Sequence, residues 1–407
     1  MPFTTFLVTN ARWLLAGFSI AFVSSFGQTY FISIFAGAIR SEFDLSHGAW
    51  GGIYLIGTSA SAITMIWAGG LVDRWRIRSL CTIILLMLAV ACLSMAAVPS
   101  ATALIFVIFA LRFTGQGMLA HATTVSMARW FVATRGRALA IASLGFKTGE
   151  AILPLIFVAL MAWFAWRDLW ILAAGLALLV IPLLAVLLKH ERTPQSISTE
   201  NQSVGMQGRH WTRNQTLRHW LFWYMLLALM GPPCFMTALF FQQVHISEVK
   251  GFTHISFVAL FPIFTIVSSG AMMLAGWAID RFSTPRILPT YLIPMSLGFF
   301  LAAQSNSLLG MAVALGFLGL SQGAASVVVP AFWAEFYGTR NLGSIKAMAA
   351  AVMVASSAVG PGLSGVLIDM GIDFSQQMYG IAIYFLCAVM LIWLGMQRVR
   401  LSSPLTA

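Results

Sequence analysis

The sequence predicts an all-α integral membrane protein: twelve transmembrane helices in two six-helix repeats around a central cavity. Three observations carry this expectation. Apolar blocks reach spanning length, basic residues crowd one side, and a residue pattern recurs at a nearly fixed offset. Of 407 residues, 59% are apolar and only 9% charged, against about a quarter charged in soluble domains.

The apolar blocks place spans at about 12–37, 48–70, 79–98, 102–128, 138–163, 168–188, 219–244, 256–279, 287–304, 308–333, 344–369 and 377–397. The first runs from Trp13 to about Ala36, beyond the ~7–15 apolar residues of a cleaved signal, and is read as a retained helix. Between the sixth and seventh blocks lies the polar stretch Lys189 to His219, rich in Ser, Gln, Asn, Thr and basic residues. This divides the chain into an N-terminal bundle (1–188), a flexible linker with a few helical turns (189–218) and a C-terminal bundle (219–407).

The net charge of +11 raises nucleic acid as a partner, and its placement removes that reading. With the N-terminus inside, Arg12, Arg74, Arg76, Arg78, Arg129, Arg135, Arg137, Lys189, Arg192, Arg209, Arg213, Arg218, Arg281, Arg286, Arg340, Lys346, Arg398 and Arg400 all fall on the inner side. Only Arg40, Arg167 and Lys250 fall outside. Such a bias sets membrane orientation, with both termini cytoplasmic in the inner membrane. Cys81, Cys92, Cys234 and Cys387 sit inside apolar blocks without metal-ligand spacing, so neither metal nor cofactor is expected.

The halves repeat. "AGGLVDRW" follows span two and "AGWAIDRF" follows span eight, setting Asp73 and Asp280 207 residues apart. "GQG" in span four matches "SQG" in span ten at an offset of 206, and "WFVATR" matches "EFYGTR" at 205. Three ordered matches imply a duplicated six-helix unit, and six spans return each copy to the same orientation.

"GGLVDRWRIR", Gly69 to Arg78, resembles the cytoplasmic loop signature of the major facilitator superfamily. Gly69, Leu71, Asp73, Arg74 and Arg78 match it, while Arg76 and Ile77 depart from its preferred residues. The second copy keeps Gly276, Asp280 and Arg281. The resemblance implies a transporter fold in which these loops latch the outward-open state. It assigns a cytoplasmic gate to Asp73, Arg74, Arg78, Asp280 and Arg281, and the recurring Arg135 and Arg340 suit the same gate. A narrower similarity covers spans four and five. Trp130, Phe131, Arg135, Gly136, Ala138, Gly145, Gly149 and Pro154 resemble the oxalate/formate antiporter and monocarboxylate transporter branch. Phe146, Lys147 and Glu150 stand where that branch usually has small or hydroxyl residues.

Three charges lie deep in the spans: Arg112 in span four, Lys147 and Glu150 in span five. Arg112 and Lys147 are each about ten residues from a helix end, near mid-bilayer at ~1.5 Å per residue. A charge at that depth costs roughly 2.5–3.5 kcal/mol on insertion scales, so it needs a cavity or a partner. The second copy lacks all three, so architecture alone does not require them. Ser143, Lys147, Glu150 and Pro154 share one helical stripe, and Arg112, Gln116 and Thr123 another. Together the three charges would suit a monoanion, with Arg112 as the carboxylate clamp and Glu150 as a proton carrier. Two other readings stay open: Lys147 and Glu150 as an intrahelical pair, or Glu150 paired with Arg112. Gln28, Tyr30, Gln116 and Gln322 are softer substrate contacts. Helix kinks are expected at Gly231–Pro233 and Gly360–Gly362, and His121 reads as a packed histidine.

No phosphate-binding loop occurs, since "GFKT" lacks a glycine directly before its lysine. No catalytic constellation lies at membrane depth, so an enzyme is not expected. The expected function is secondary active transport of a small organic anion, a mono- or dicarboxylate, proton-coupled or by exchange. The alternative is efflux of amphipathic or drug-like compounds. The expected partners are that small molecule, the lipid bilayer and protons, with a monomer as the working unit.

Overall fold

The computed structural model describes residues 3–131, 134–190, 204–338 and 340–402, and no strand occurs among them. Eleven helices are long and apolar enough to cross a membrane, and a twelfth, Ile293–Gln304, is shorter. The ninth block thus departs from one continuous span over 287–304. Its prolines explain the difference. Pro289 follows the short helix Thr284–Ile287, and a proline inside a helix removes a hydrogen bond and clashes with the preceding turn. Helix resumes with Pro294 in its first turn, where the missing N–H has no intrahelical partner to lose. Span one also differs: it is helical from Phe3, nine residues before the apolar block begins.

The chain forms two compact units, Met1–Thr199 and Glu200–Ala407. Inside the first, span one packs on spans five and six, span two on four, and span three on four and six. The second repeats this scheme: seven on eleven and twelve, eight on ten, nine on ten and twelve. Capping follows the same repeat. Ser46 and Thr253 accept from the backbone of Ala49 and Ser256 to start spans two and eight, and Ser100 and Ser307 do so for spans four and ten. Each pair lies 207 residues apart, so two further repeat matches are cap residues, placed where orphan helix N–H groups need acceptors.

The three basic residues expected on the sparse side each hold backbone carbonyls. Arg40 donates to Leu45 O at 3.2 Å. Arg167 donates to Ala96 O and Val98 O at the end of span three. Lys250 donates to Ala303 O and Ser305 O at the end of span nine. Cations at helix C-termini complement the helix dipole, so these exceptions to the charge bias have structural work. Hydrogen bonds from Arg167 and then Trp166 hold the Glu42 carboxyl below its usual value, and partial burial pushes the Lys250 ammonium down.

Part of the expected linker, 191–203, lies outside the described residues. The part from 204 onward is docked on the second unit. Trp211 N donates to Tyr337 O at 3.2 Å, and Asn341 Nδ2 donates to Trp211 O at 3.0 Å. A capping box of Thr212 and Gln215 then starts the helix Arg213–Arg218. Burial pushes the His219 imidazole down, and its ring packs against Trp211 and Tyr337.

Span one is broken. Its helix Phe3–Val23 passes into a 3-10 turn, Ser24–Gly27, then an extended Gln28 (φ −89°, ψ 152°) before helix resumes at Thr29. Span four answers with a π-helical stretch, Arg112–Leu119. The two irregular segments cross at Gly27 and Gly115, where a Cβ on either residue would meet the other's backbone. On the other side of span one, Gly145 rests on the Phe18 carbonyl and Gly149 on the Ser25 hydroxyl. Gly27→Ala is therefore expected to destabilise the protein by about 1–3 kcal/mol through overpacking. Gly175→Ala, where a Cβ would meet open space, should not lower the melting temperature. Thermal unfolding in detergent checks both.

Candidate functional site

The break in span one organises the deep charges. With helical geometry lost at Gln28, the Phe31 N–H donates to Gln28 O at 3.1 Å instead of the carbonyl four residues back. Gly27 O is released, and Arg112 Nη1 donates to it at 3.1 Å and to Thr29 Oγ1 at 3.3 Å. The guanidinium carbon Cζ lies over the Tyr54 ring, 5.3 Å from its centroid. The residue is only 1% exposed. Its Nε and Nη2 are enclosed and have no hydrogen-bond partner in the protein. One full edge of a buried cation is thus unmet, and that edge matches a carboxylate bidentately.

Lys147 and Glu150 resolve differently. Lys147 Nζ donates to Glu150 Oε2 at 3.0 Å, as neighbours one helical turn apart. The lysine side chain is 25% exposed and the glutamate 7%. Of the readings open at the sequence, the structure shows the intrahelical pair and not a Glu150–Arg112 bond. The reason is packing: span five is laid on span one through Gly145 and Gly149, so its charged stripe does not meet that of span four. The charge left uncompensated is Arg112's.

Tyr30 and Gln28 lie at the same break, both buried. Tyr30 Oη donates to Ser25 Oγ at 2.8 Å, back across the break, and its ring meets Phe146 edge-on, centroids 5.8 Å apart. Phe146 adjoins Lys147, so the span-one break has Arg112 on one side and the Lys147–Glu150 pair's helix on the other. Gln116 lies half-buried in the π-helical stretch, while Thr123 bonds its own helix at Leu119 O. Gln322 belongs to the second unit, and its Oε1 is enclosed without a partner. His121 is half-buried beside Gly69. Cys81 and Cys92 are buried, Cys234 is intermediate and Cys387 exposed.

Among the residues expected at a cytoplasmic gate, Arg74, Arg78, Asp280, Arg281 and Arg340 are exposed. The side chains of Asp73 and Arg135 lie outside the described residues. A further residue enters here: Arg129 donates to Val72 O at 2.9 Å, tying span four to the loop after span two. Sequence reasoning counted it only as charge. It also missed Gly27, Thr29 and Tyr54 around Arg112. The signal available was the run Ser24, Ser25, Gln28, Thr29, four polar residues inside an apolar block.

Comparison with known proteins now gives the class. The Major Facilitator Superfamily profile matches residues 17–291, and the chain belongs to that superfamily of membrane transporters. Solved structures agree on the fold. A bacterial homologue of the human lysosomal transporter Spinster, in an inward-facing unoccupied conformation, is similar at TM-score 0.75 and 15% identity, over 98% of this chain and 99% of that one. The nucleoside transporter NupG is similar at TM-score 0.69 and 15% identity, over 94% and 98%. A D-xylose-proton symporter is similar at TM-score 0.69 and 15% identity, over 94% and 97%. No curated protein matches the chain by sequence. The protein is a multi-pass membrane transporter and not an enzyme.

Removing one member of a buried ion pair strands the other. Lys147→Met is therefore expected to lower the melting temperature more than the double variant Lys147→Met/Glu150→Gln, in which neither charge is stranded. Thermal unfolding of the single and double variants gives the coupling directly.

Proposed function

We propose that this transporter moves a small organic anion, a mono- or dicarboxylate, by alternating access across the cytoplasmic membrane, coupled to protons or to exchange of a second anion. The observation that supports it is the unmet Nε–Nη2 edge of Arg112, a cation nearly inaccessible to solvent with no protein carboxylate beside it. A buried guanidinium without an anion is costly, and a carboxylate meets that edge with two parallel hydrogen bonds. The edge is closed off in this structure, so entry requires the span-one break or its neighbours to shift. The similarity of spans four and five to the oxalate/formate and monocarboxylate branch supports the same substrate class.

Gln28, Tyr30 and Gln116 line the route to Arg112 in this reading. Glu150 serves as the coupling group in this reading: its ion pair with Lys147 opens during transport and the carboxylate takes or releases a proton. The loop residues Asp73, Arg74, Arg78, Arg135, Asp280, Arg281 and Arg340 form the cytoplasmic gate, with both termini on that side and the monomer as the unit.

A thermal-stability screen on purified protein tests the substrate class. Pyruvate, oxalate or benzoate should raise the melting temperature of the wild type, and Arg112→Gln and Arg112→Lys should abolish the effect. Carboxylate shifts that survive both substitutions undiminished overturn the anion site. Stabilisation by tetraphenylphosphonium alone points instead to efflux of amphipathic cations. For coupling, Glu150→Gln in proteoliposomes should slow transport and flatten its pH dependence. A wild-type rate with an unchanged pH profile removes Glu150 from the mechanism.

A further inference from the structure

Two residues that the sequence does not single out hold the parts of Arg112 that a ligand would not use. Nη1 donates both to Gly27 O and to Thr29 Oγ1. The Thr29 hydroxyl is in turn joined to the Tyr54 hydroxyl by a short hydrogen bond. The Tyr54 ring lies beneath the guanidinium carbon in a cation–π contact. Tyr54 therefore touches the cation twice, through its ring and through Thr29, and it is fully buried. A cation–π contact is strongest where water is excluded, and a charge-assisted chain of hydrogen bonds polarises each of its members. The three residues come from three helices: Thr29 from span one, Tyr54 from span two, Arg112 from span four.

The internal repeat supplies an independent comparison. In spans two and eight the offset is 207 at both ends, from Ser46 and Thr253 at the caps to Asp73 and Asp280 at the loops. The partner of Tyr54 at that offset is Phe261, also fully buried. An aromatic ring thus occupies the position in both copies. The hydroxyl occurs only in the copy that carries the arginine, whose own partner is Phe317 or Leu318 at offsets of 205 or 206. Packing needs the ring, and something else needs the oxygen.

We propose that Thr29 and Tyr54 are positioning residues for anion binding: they lock Nη1 and the guanidinium group so that the Nε–Nη2 edge stands as a preformed fork. The inference rests on the anion reading above. An arginine side chain is long and flexible, and affinity is gained when its donors are held in the bound geometry beforehand. Losing the hydroxyl chain frees the fork to rotate, which weakens binding without removing the charge.

Titrations of pyruvate, oxalate and benzoate against purified full-length protein, read by thermal stability, test this. Thr29→Val and Tyr54→Phe should each weaken the apparent affinity about five- to tenfold, the net worth of one ordinary hydrogen bond. Each titration is read against the variant's own ligand-free melting temperature, which the lost buried hydrogen bond lowers. Thr29→Ser, which keeps the hydroxyl, should retain wild-type affinity. Affinity unchanged in both Thr29→Val and Tyr54→Phe, while Arg112→Lys abolishes binding, overturns the positioning role and leaves the anion site standing. Carboxylate binding that is absent from the wild type, or indifferent to Arg112, overturns the anion reading and this inference with it.

Discussion

One guanidinium buried at mid-membrane depth dictates the local architecture of the first bundle. Arg112 needs acceptors where an intact helix has none to give, because every carbonyl in its interior is already bonded. Span one supplies one by ceasing to be helical. Once the Phe31 N–H turns to Gln28 O, Gly27 O is left for Arg112. A hydrogen bond to a charged group contributes about 1.5–3 kcal/mol, comparable with the roughly 2.5–3.5 kcal/mol cost of placing such a charge at a helix centre. The arginine stabilises the break, and the break makes the arginine tolerable. The glycine crossing follows from the same requirement. Gly27 O reaches Nη1 only if the helices approach to backbone contact, which Gly27 and Gly115 allow.

Comparing the two copies separates what the fold requires from what this chain adds. Both bundles share their helix-pairing scheme and their cap residues at Ser46 and Thr253, Ser100 and Ser307. Span ten runs as one helix, Leu308–Tyr337, without a π-helical stretch, and carries no arginine in its middle. Span seven runs as unbroken helix, Trp220–Phe241, across the positions 205–207 residues beyond Gln28, and turns only at Gln242. The break at Gln28 is thus confined to the first copy, and so is the cation beside it. The asymmetry places the unusual chemistry in one bundle.

Much of this was legible in the sequence because it rests on local rules. Apolar length gave the spans, the charge bias gave an expected orientation, and repeat offsets near 206 tied the halves together. Deep charges stand out in an apolar run whatever their partners, so Arg112, Lys147 and Glu150 were found. The choice among their possible pairings was left open, because it depends on which neighbour span five packs against, and Gly145 and Gly149 lay it on span one. The π-helical stretch escaped because it adds only one residue per turn, a change that side-chain periodicity does not reveal over eight residues. Thr29 and Tyr54 escaped because hydroxyl residues are ordinary in membrane helices until a cation is found beside them. The short ninth helix was readable in principle from Pro289 and Pro294, which outweigh the apolar character of the block.

The central claim is that the Nε–Nη2 edge of Arg112 is an open anion fork held by the broken first span. Side-chain ¹H–¹⁵N NMR of arginine-labelled protein in nanodiscs addresses it directly, with the Arg112 Nε–H resonance assigned by its loss in Arg112→Lys. Saturating pyruvate, oxalate or benzoate should move that resonance downfield, as the proton enters a charge-assisted hydrogen bond. An Arg112 Nε–H that all three leave unmoved would contradict the account.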